Sequence, residues 1–105
     1  MKRVKMPGLG MVVEFPYSCF NPYRQGWNGW VFRVGVIDQI YESNGNACVR
    51  VKYAKRVEYA LGERETPVVY KEGFKRFVIG DDLFEFSGNV SSNEDSVFLT
   101  RNGLI

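Results

Sequence analysis

The sequence predicts a mainly β fold, either a small antiparallel barrel or a strongly bent sheet, with little or no helix. Apolar residues alternate with a period of two, and no segment shows a long period of 3.6. Eleven glycines are spread along the chain, and turn residues separate short apolar runs. The 105 residues contain no linker that would divide domains. We therefore expect residues 1–105 to form one domain with a modest core.

The clearest strand is "ACVRVKYA", residues 47–54. Its alternation predicts that Val49, Val51 and Tyr53 are buried and that Arg50 and Lys52 are exposed.

A longer strand precedes it at residues 30–41, and Gly35 is where this strand can bend. Asn44 and Gly45 lie between the two strands. Because a type I′ turn needs positive φ at both central residues, this pair predicts a tight hairpin.

A second Asn-Gly pair, Asn28 and Gly29, lies between the two tryptophans of the chain. The same reasoning predicts a hairpin turn here, with Trp27 and Trp30 facing each other across it. Residues 16–30 are rich in Pro, Asn and Gly and are predicted to form a loop that carries five aromatic residues.

The second half predicts short strands joined by turns. We expect a strand at 56–62, a strand pair at 67–80 that turns at Glu72 and Gly73, and a short strand at 81–88. A brief helix at 80–84 is the alternative for part of that last strand, because an aspartate can cap it. Residues 87–96 are predicted to be a polar loop, and 97–102 a closing strand.

The sequence lacks the residues that several kinds of catalytic and metal site require. Histidine is absent and there are two cysteines, which excludes Cys/His and four-cysteine zinc sites as well as His-dependent nucleophiles. No phosphate-binding glycine loop occurs. We expect a protein that is not an enzyme and has no cofactor or metal. Cys19 and Cys48 are predicted to be reduced thiols rather than a disulfide.

The N-terminal segment has basic residues, but Pro7, glycines and Glu14 interrupt its apolar run. We therefore expect no signal peptide, no membrane association and a cytoplasmic location.

The block "GWVFRVGVIDQIYESNGNACVRVKYA", residues 29–54, resembles the core hairpin of SH3-like barrels of the Tudor or KOW type. This resemblance implies a five-stranded barrel that binds peptides, modified side chains or nucleic acid through loops and aromatic residues. The stretch at 54–73 is longer than a minimal barrel of this kind requires. The aromatic cage of Tudor domains has no aligned counterpart here, so the ligand of that family is not carried over.

The function that the sequence favours is a non-enzymatic binding module for a macromolecule, most readily a protein that it would inhibit or modulate. The net charge of +2 is low for a dedicated nucleic-acid binder, and the aromatic segment 16–30 holds a single charge. The alternative reading of that segment is that its aromatics form core. The candidate protein-binding residues are Tyr17, Phe20, Tyr23, Arg24 and Trp27.

The alternative function is a nucleic-acid-binding regulator. Residues 1–56 carry nine basic and three acidic side chains, whereas residues 57–105 carry five basic and nine acidic. Cations interleaved with aromatic rings suit phosphate contacts and base stacking. A solvated outer face would show the same pattern. The candidate nucleic-acid-binding residues are Arg33, Tyr41, Arg50, Lys52, Lys55 and Arg56.

Overall fold

A computed structural model describes residues 2–21, 26–58, 68–88 and 93–104, with side chains described for 2–17, 32–55, 71–88 and 95–104. These described residues form five strands and one helix. The strands are β1 (Val12–Asn21), β2 (Gly26–Ser43), β3 (Asn46–Glu58), β4 (Val68–Val78) and β5 (Phe84–Glu85), and the helix is α1 (Asn93–Arg101).

The five strands form one antiparallel sheet in the order β4-β3-β2-β1-β5. The predicted mainly β class is confirmed. The sheet is not closed into a barrel, because β4 and β5 are its two ends rather than partners. Residues 2–4 run along the outer edge of β5, where Val4 N–H donates to the Leu83 carbonyl.

The sheet is strongly bent, and the core lies on its concave face. Phe15 of β1 and Phe77 of β4 have ring centroids 5.4 Å apart. These strands are three positions apart in the sheet, which would separate them by about 14 Å if the sheet were flat. Their contact therefore requires the sheet to fold over this face. The buried residues that form this core are Val4, Val13, Phe15, Ile37, Val49, Val51, Tyr53, Phe77 and Leu83.

Two glycines allow the close packing on the concave face. A Cβ on Gly35 would collide with Val51 Cγ1 and lie 2.7 Å from the Lys52 carbonyl oxygen. A Cβ on Gly73 would lie 2.8 Å from the Tyr53 ring. Because both positions lack a side chain, the neighbouring groups pack directly on the backbone.

Beyond Gly35 and Tyr53 the sheet divides like a fork into two arms, each made of two strands. β1 and β2 continue as a pair to Asn21 and Gly26, whereas β3 and β4 continue as a separate pair to Glu58 and Val68. The β2–β3 ladder ends where the arms diverge.

Helix α1 fills the gap between the arms on the convex face, where it contacts β2 and β3. Phe98 and Leu99 pack with Val34 of β2. The buried Asp95 carboxylate accepts a 3.0 Å hydrogen bond from the Val34 N–H, a donor on the side of β2 that β3 has left. Asp95 thus satisfies a buried backbone group that the interrupted ladder cannot satisfy.

The β2–β3 hairpin follows the sequence prediction. Asn44 has φ 52° and Gly45 has φ 80°, as a type I′ turn requires. Val49, Val51 and Tyr53 are buried, as predicted. Arg50 and Lys52 lie on the opposite face as expected, but the prediction that they are exposed is wrong: each side chain is only 26% exposed and pairs with a carboxylate.

The predicted turn at Asn28 and Gly29 is wrong. Both residues lie inside β2, where Trp30 is opposite Ser18 and Trp27 is opposite Phe20. A register irregularity between Ser18 and Phe20 accommodates the Asn-Gly pair, so the tryptophans are not partners across a turn. The connection of β1 to β2 falls instead in residues 22–25, which lie outside the described residues.

Three predictions for other segments are also wrong. Residues 16–21 and 26–30 belong to strands rather than to a loop. β4 runs without a turn through Glu72 and Gly73. The glycine is needed there because the Tyr53 ring packs directly on its backbone. The expected closing strand is helix α1.

Two backbone hydrogen bonds and a positive φ end helix α1. The Gly103 N–H donates to the Thr100 carbonyl and the Leu104 N–H to the Leu99 carbonyl, and Gly103 has φ 67°. This pattern is a Schellman motif that ends α1. The alternative helix at 80–84 is not formed: residues 80–82 are a turn, and Phe84 begins β5.

Cys48 is a buried free thiol that donates weakly to the Asn46 carbonyl oxygen at 3.5 Å. It lies opposite Tyr41, whereas Cys19 lies near the far end of β2, beside the bulge opposite Trp27 to Trp30. About twelve residues of β2 separate the two positions, roughly 40 Å along an extended strand. That distance is far greater than a disulfide can span.

Candidate functional site

The convex face carries a cluster of arginines and aromatic rings beside the β2–β3 turn, on the part that α1 leaves uncovered. Arg50 of β3 and Arg76 of β4 are direct partners in the ladder, and Phe74 is opposite Lys52. We call Tyr41, Arg50, Phe74, Arg76 and Val78 the arginine–aromatic patch.

Each arginine in the patch stacks on a ring. The Arg50 guanidinium lies 4.3 Å from the Phe74 ring centroid, and the Arg76 guanidinium lies 5.3 Å from that of Tyr41. Phe74 is nevertheless 48% exposed. A large ring that is held against a cation and still open to solvent is typical of a contact residue.

Asp38 fixes Arg50 in this position. Arg50 Nε donates to Asp38 Oδ1 at 2.9 Å and Arg50 Nη2 to Oδ2 at 2.7 Å. A register shift in β2 between Ile37 and Gln39 makes Asp38 the extra residue of a bulge, which aims its carboxylate at Arg50. The hydrogen bonds from Arg50 lower the pKa of Asp38, and those to Asp38 raise the pKa of Arg50.

This ion pair predicts a pH dependence of stability. The pKa of Asp38 is below its ordinary value of about 3.9 in the folded state, so the folded state binds the proton less tightly than the unfolded chain. The stabilisation is present above about pH 4 and is lost as pH falls through the lowered pKa. In urea titrations, we expect the wild type to be more stable than Asp38→Asn at pH 7, and we expect this difference to shrink as pH falls below about 4.

The matched control is Asp82→Asn, which also removes a carboxylate bonded to an arginine. Asp82 pairs with Arg3 at 3.0 Å, but its side chain is 66% exposed, so we expect a smaller loss at pH 7. If Asp38→Asn and Asp82→Asn changed the pH dependence equally, the Arg50 pair would not have the role given to it here.

The opposite, concave side of the fork carries a second group of cations. Arg33 lies on the first arm with its guanidinium 5.4 Å from the Tyr17 ring centroid. Lys55 and Lys71 are direct partners on the second arm, and Lys75 follows on β4. Lys75 Nζ is 5.6 Å from the Phe15 ring centroid. We call Tyr17, Arg33, Lys55, Lys71 and Lys75 the cationic cleft.

Tyr53 forms part of the floor of the cleft. Its ring contacts Tyr17 at 6.0 Å and Phe15 at 5.3 Å between centroids. Burial raises the pKa of the Tyr53 phenol, with Tyr17 adding to the rise and Arg33 opposing it. The phenol is therefore neutral at physiological pH.

The residues predicted for nucleic-acid binding do not share one surface. Tyr41, Arg50 and Lys52 are on the convex face, whereas Arg33 and Lys55 are on the concave face. Arg33 is opposite the buried Phe15 and has the same parity as Gly35, which is opposite Tyr53, so it lies on the concave face and not beside Arg50. The Arg56 side chain lies outside the described part of the chain.

Of the residues predicted for protein binding, Tyr17 is half-buried beside the cationic cleft. Phe20 and Trp27 are opposite each other on β1 and β2, and their side chains are outside the described set. Tyr23 and Arg24 also lie outside the described residues. Of the five aromatic residues at 16–30, the structure thus describes the side chain of Tyr17 alone, which is partly buried.

The sequence interpretation missed Phe74, Arg76, Lys71 and Lys75. All four lie on β4, where the expected turn at Glu72 and Gly73 hid the alternation of Phe74 and Arg76 with Lys71 and Lys75. One continuous strand places the first pair on the convex face and the second on the concave face.

Within the described ranges, no group of three or more Cys, Asp or Glu side chains could hold a metal ion. The described helix is neither long nor apolar enough to cross a membrane. No protein-family model matches the chain, and no curated protein or solved structure is significantly similar to it.

Proposed function

We propose that the chain is a non-enzymatic binding module that docks on a protein partner through the arginine–aromatic patch. The exposed Phe74 ring, held against an arginine that Asp38 fixes, is the observation that carries this proposal. Arginine and aromatic side chains dominate the binding energy of protein interfaces, above all where they are already ordered before binding.

The charges of the patch favour a protein over a polyanion. Asp38 neutralises Arg50, and Glu72 lies 3.8 Å from Lys52. Arg76 has no carboxylate partner among the described residues. The fitting partner surface presents an apolar side chain to Phe74 and Val78 and a carboxylate to Arg76.

A protein of this size would inhibit or modulate a larger partner by covering part of its surface. The absence of histidine and of nucleophile and phosphate-loop motifs supports a role without catalysis.

The test is affinity capture from native lysate treated with nuclease, followed by titration of the purified captured protein. We expect Phe74→Ala to weaken binding by about tenfold or more, about 1.4 kcal/mol. Most of the fold should survive, because the ring is half in solvent.

Met6→Ala is the control, because Met6 is an apolar side chain that is 85% exposed and lies outside the patch. It should bind like the wild type. The proposal is wrong if the wild type retains no protein after nuclease treatment, or if Phe74→Ala binds the partner as tightly as Met6→Ala does.

A further inference from the structure

We infer that the cationic cleft binds single-stranded nucleic acid. This site lies on the face opposite the arginine–aromatic patch, and its failure or success is independent of the protein partner proposed above. Four cations on three strands lie on this face, and the three lysines among them have no carboxylate partner among the described residues.

The pairing of Lys55 with Lys71 is the central observation. The two lysines are directly opposite each other on neighbouring strands, and both are exposed. Like charges in this position destabilise a sheet. Within the described residues no ion pair joins Lys55, Lys71 or Lys75 to a carboxylate. A bound anion would offset the repulsion between Lys55 and Lys71, so the pair suits a cleft that an anion occupies.

The placement of the cations fits an extended chain of phosphates better than a single anion. Lys71 and Lys75 are four residues apart on β4, roughly 13 Å along the strand. Lys55 lies beside Lys71, and Arg33 stands on the other arm. The positive charges are therefore spread along β4 and onto the other arm rather than gathered at one point.

Aromatic rings lie between these cations. Tyr17 is half-buried at the rim, with its ring against Tyr53 on one side and Arg33 on another. Tyr53 is buried, so a base of a single strand would stack on the exposed part of Tyr17 while the phosphates contact the cations. A duplex keeps its bases stacked inside, so it could use the charges alone. An acidic peptide could likewise use the charges but has no bases to stack.

The experiment is fluorescence anisotropy with a labelled 20-nucleotide oligo-dT, titrated at several salt concentrations. We expect binding that weakens steeply with salt. Lys55→Gln with Lys71→Gln removes two phosphate contacts, so the log–log salt slope should become shallower by about 1.4. Affinity at low salt should fall by about tenfold or more. Lys2→Gln with Lys5→Gln removes the same charge from the N-terminal segment and should leave binding unchanged.

Lys71→Glu separates binding from folding. It places opposite charges across the ladder, so the melting temperature should equal or exceed that of the wild type while oligo-dT affinity falls below that of the glutamine double variant. The inference is overturned if oligo-dT does not bind at low salt, or if the Lys2 and Lys5 control loses as much affinity. Equal or tighter binding of duplex DNA or of poly-glutamate would also overturn it.

Discussion

Phe15→Ala is expected to lower the free energy of unfolding by about 3–5 kcal/mol. Phe15 is fully buried and lies where β1 meets β4 across the concave face. Its ring packs against Tyr53 at 5.3 Å and Phe77 at 5.4 Å. Because the ring bridges strands that are three apart, its removal leaves a cavity at the bend of the sheet. Urea denaturation at neutral pH measures the loss.

Phe15→Leu is the control, since it keeps an apolar side chain that fills more of the space than alanine does. It should cost clearly less than Phe15→Ala. If the alanine and leucine variants were equally stable, the Phe15 ring would not hold the bend.

Gly35→Ala should destabilise the protein by about 1–3 kcal/mol. The added Cβ would meet Val51 Cγ1 and the Lys52 carbonyl oxygen, and backbone cannot move aside as a side chain can. Lys52 belongs to the neighbouring strand, so relief of the clash requires β2 and β3 to separate. Thermal melts and urea denaturation report the change.

Gly8→Ala is the matched control because a Cβ there would have no neighbour within 4 Å and the backbone has no positive φ. We expect it to be neutral or slightly stabilising. Equal stability of the two alanine variants would show that the close approach at Gly35 does not constrain the sheet.

The parts of the fold that the sequence predicts are those fixed by local pattern. The alternation at 47–54 is unambiguous because one parity is wholly apolar, and β3 follows it. Asn44 and Gly45 predict their turn because few other residues tolerate positive φ at both positions. The close approach of β3 at Gly35 also agrees with the local sequence, since glycine in a strand often marks such an approach.

The secondary-structure predictions are wrong where one local sequence pattern is compatible with two structures. Asn-Gly suits a bulge as well as a turn, and the pairing of β1 with β2 selects the bulge at Asn28. The segment 93–101 holds only two buried apolar residues, Phe98 and Leu99, which is too few for a visible helical period. The useful signals were acidic residues at its start and Gly103 after its end.

The candidate site was harder to predict than the fold. Tyr41 and Arg50 lie in the arginine–aromatic patch, whereas Tyr17, Arg33 and Lys55 lie in the cationic cleft. Their division between two faces depends on the bulge at Asp38 and on the continuity of β4 through Gly73, which no local pattern reveals. Contacts such as that of Arg50 with Phe74 join strands across the sheet and need the register to be known.

Helix α1 also bears on self-association. Where β3 leaves β2, the uncovered main chain of β2 would be an open edge able to accept a strand from another molecule. The Val34 N–H there donates to the Asp95 carboxylate, and the apolar residues of α1 cover the adjoining surface. A chain that loses this helix would therefore expose a template for intermolecular β-pairing, and aggregation rather than simple unfolding would be the consequence.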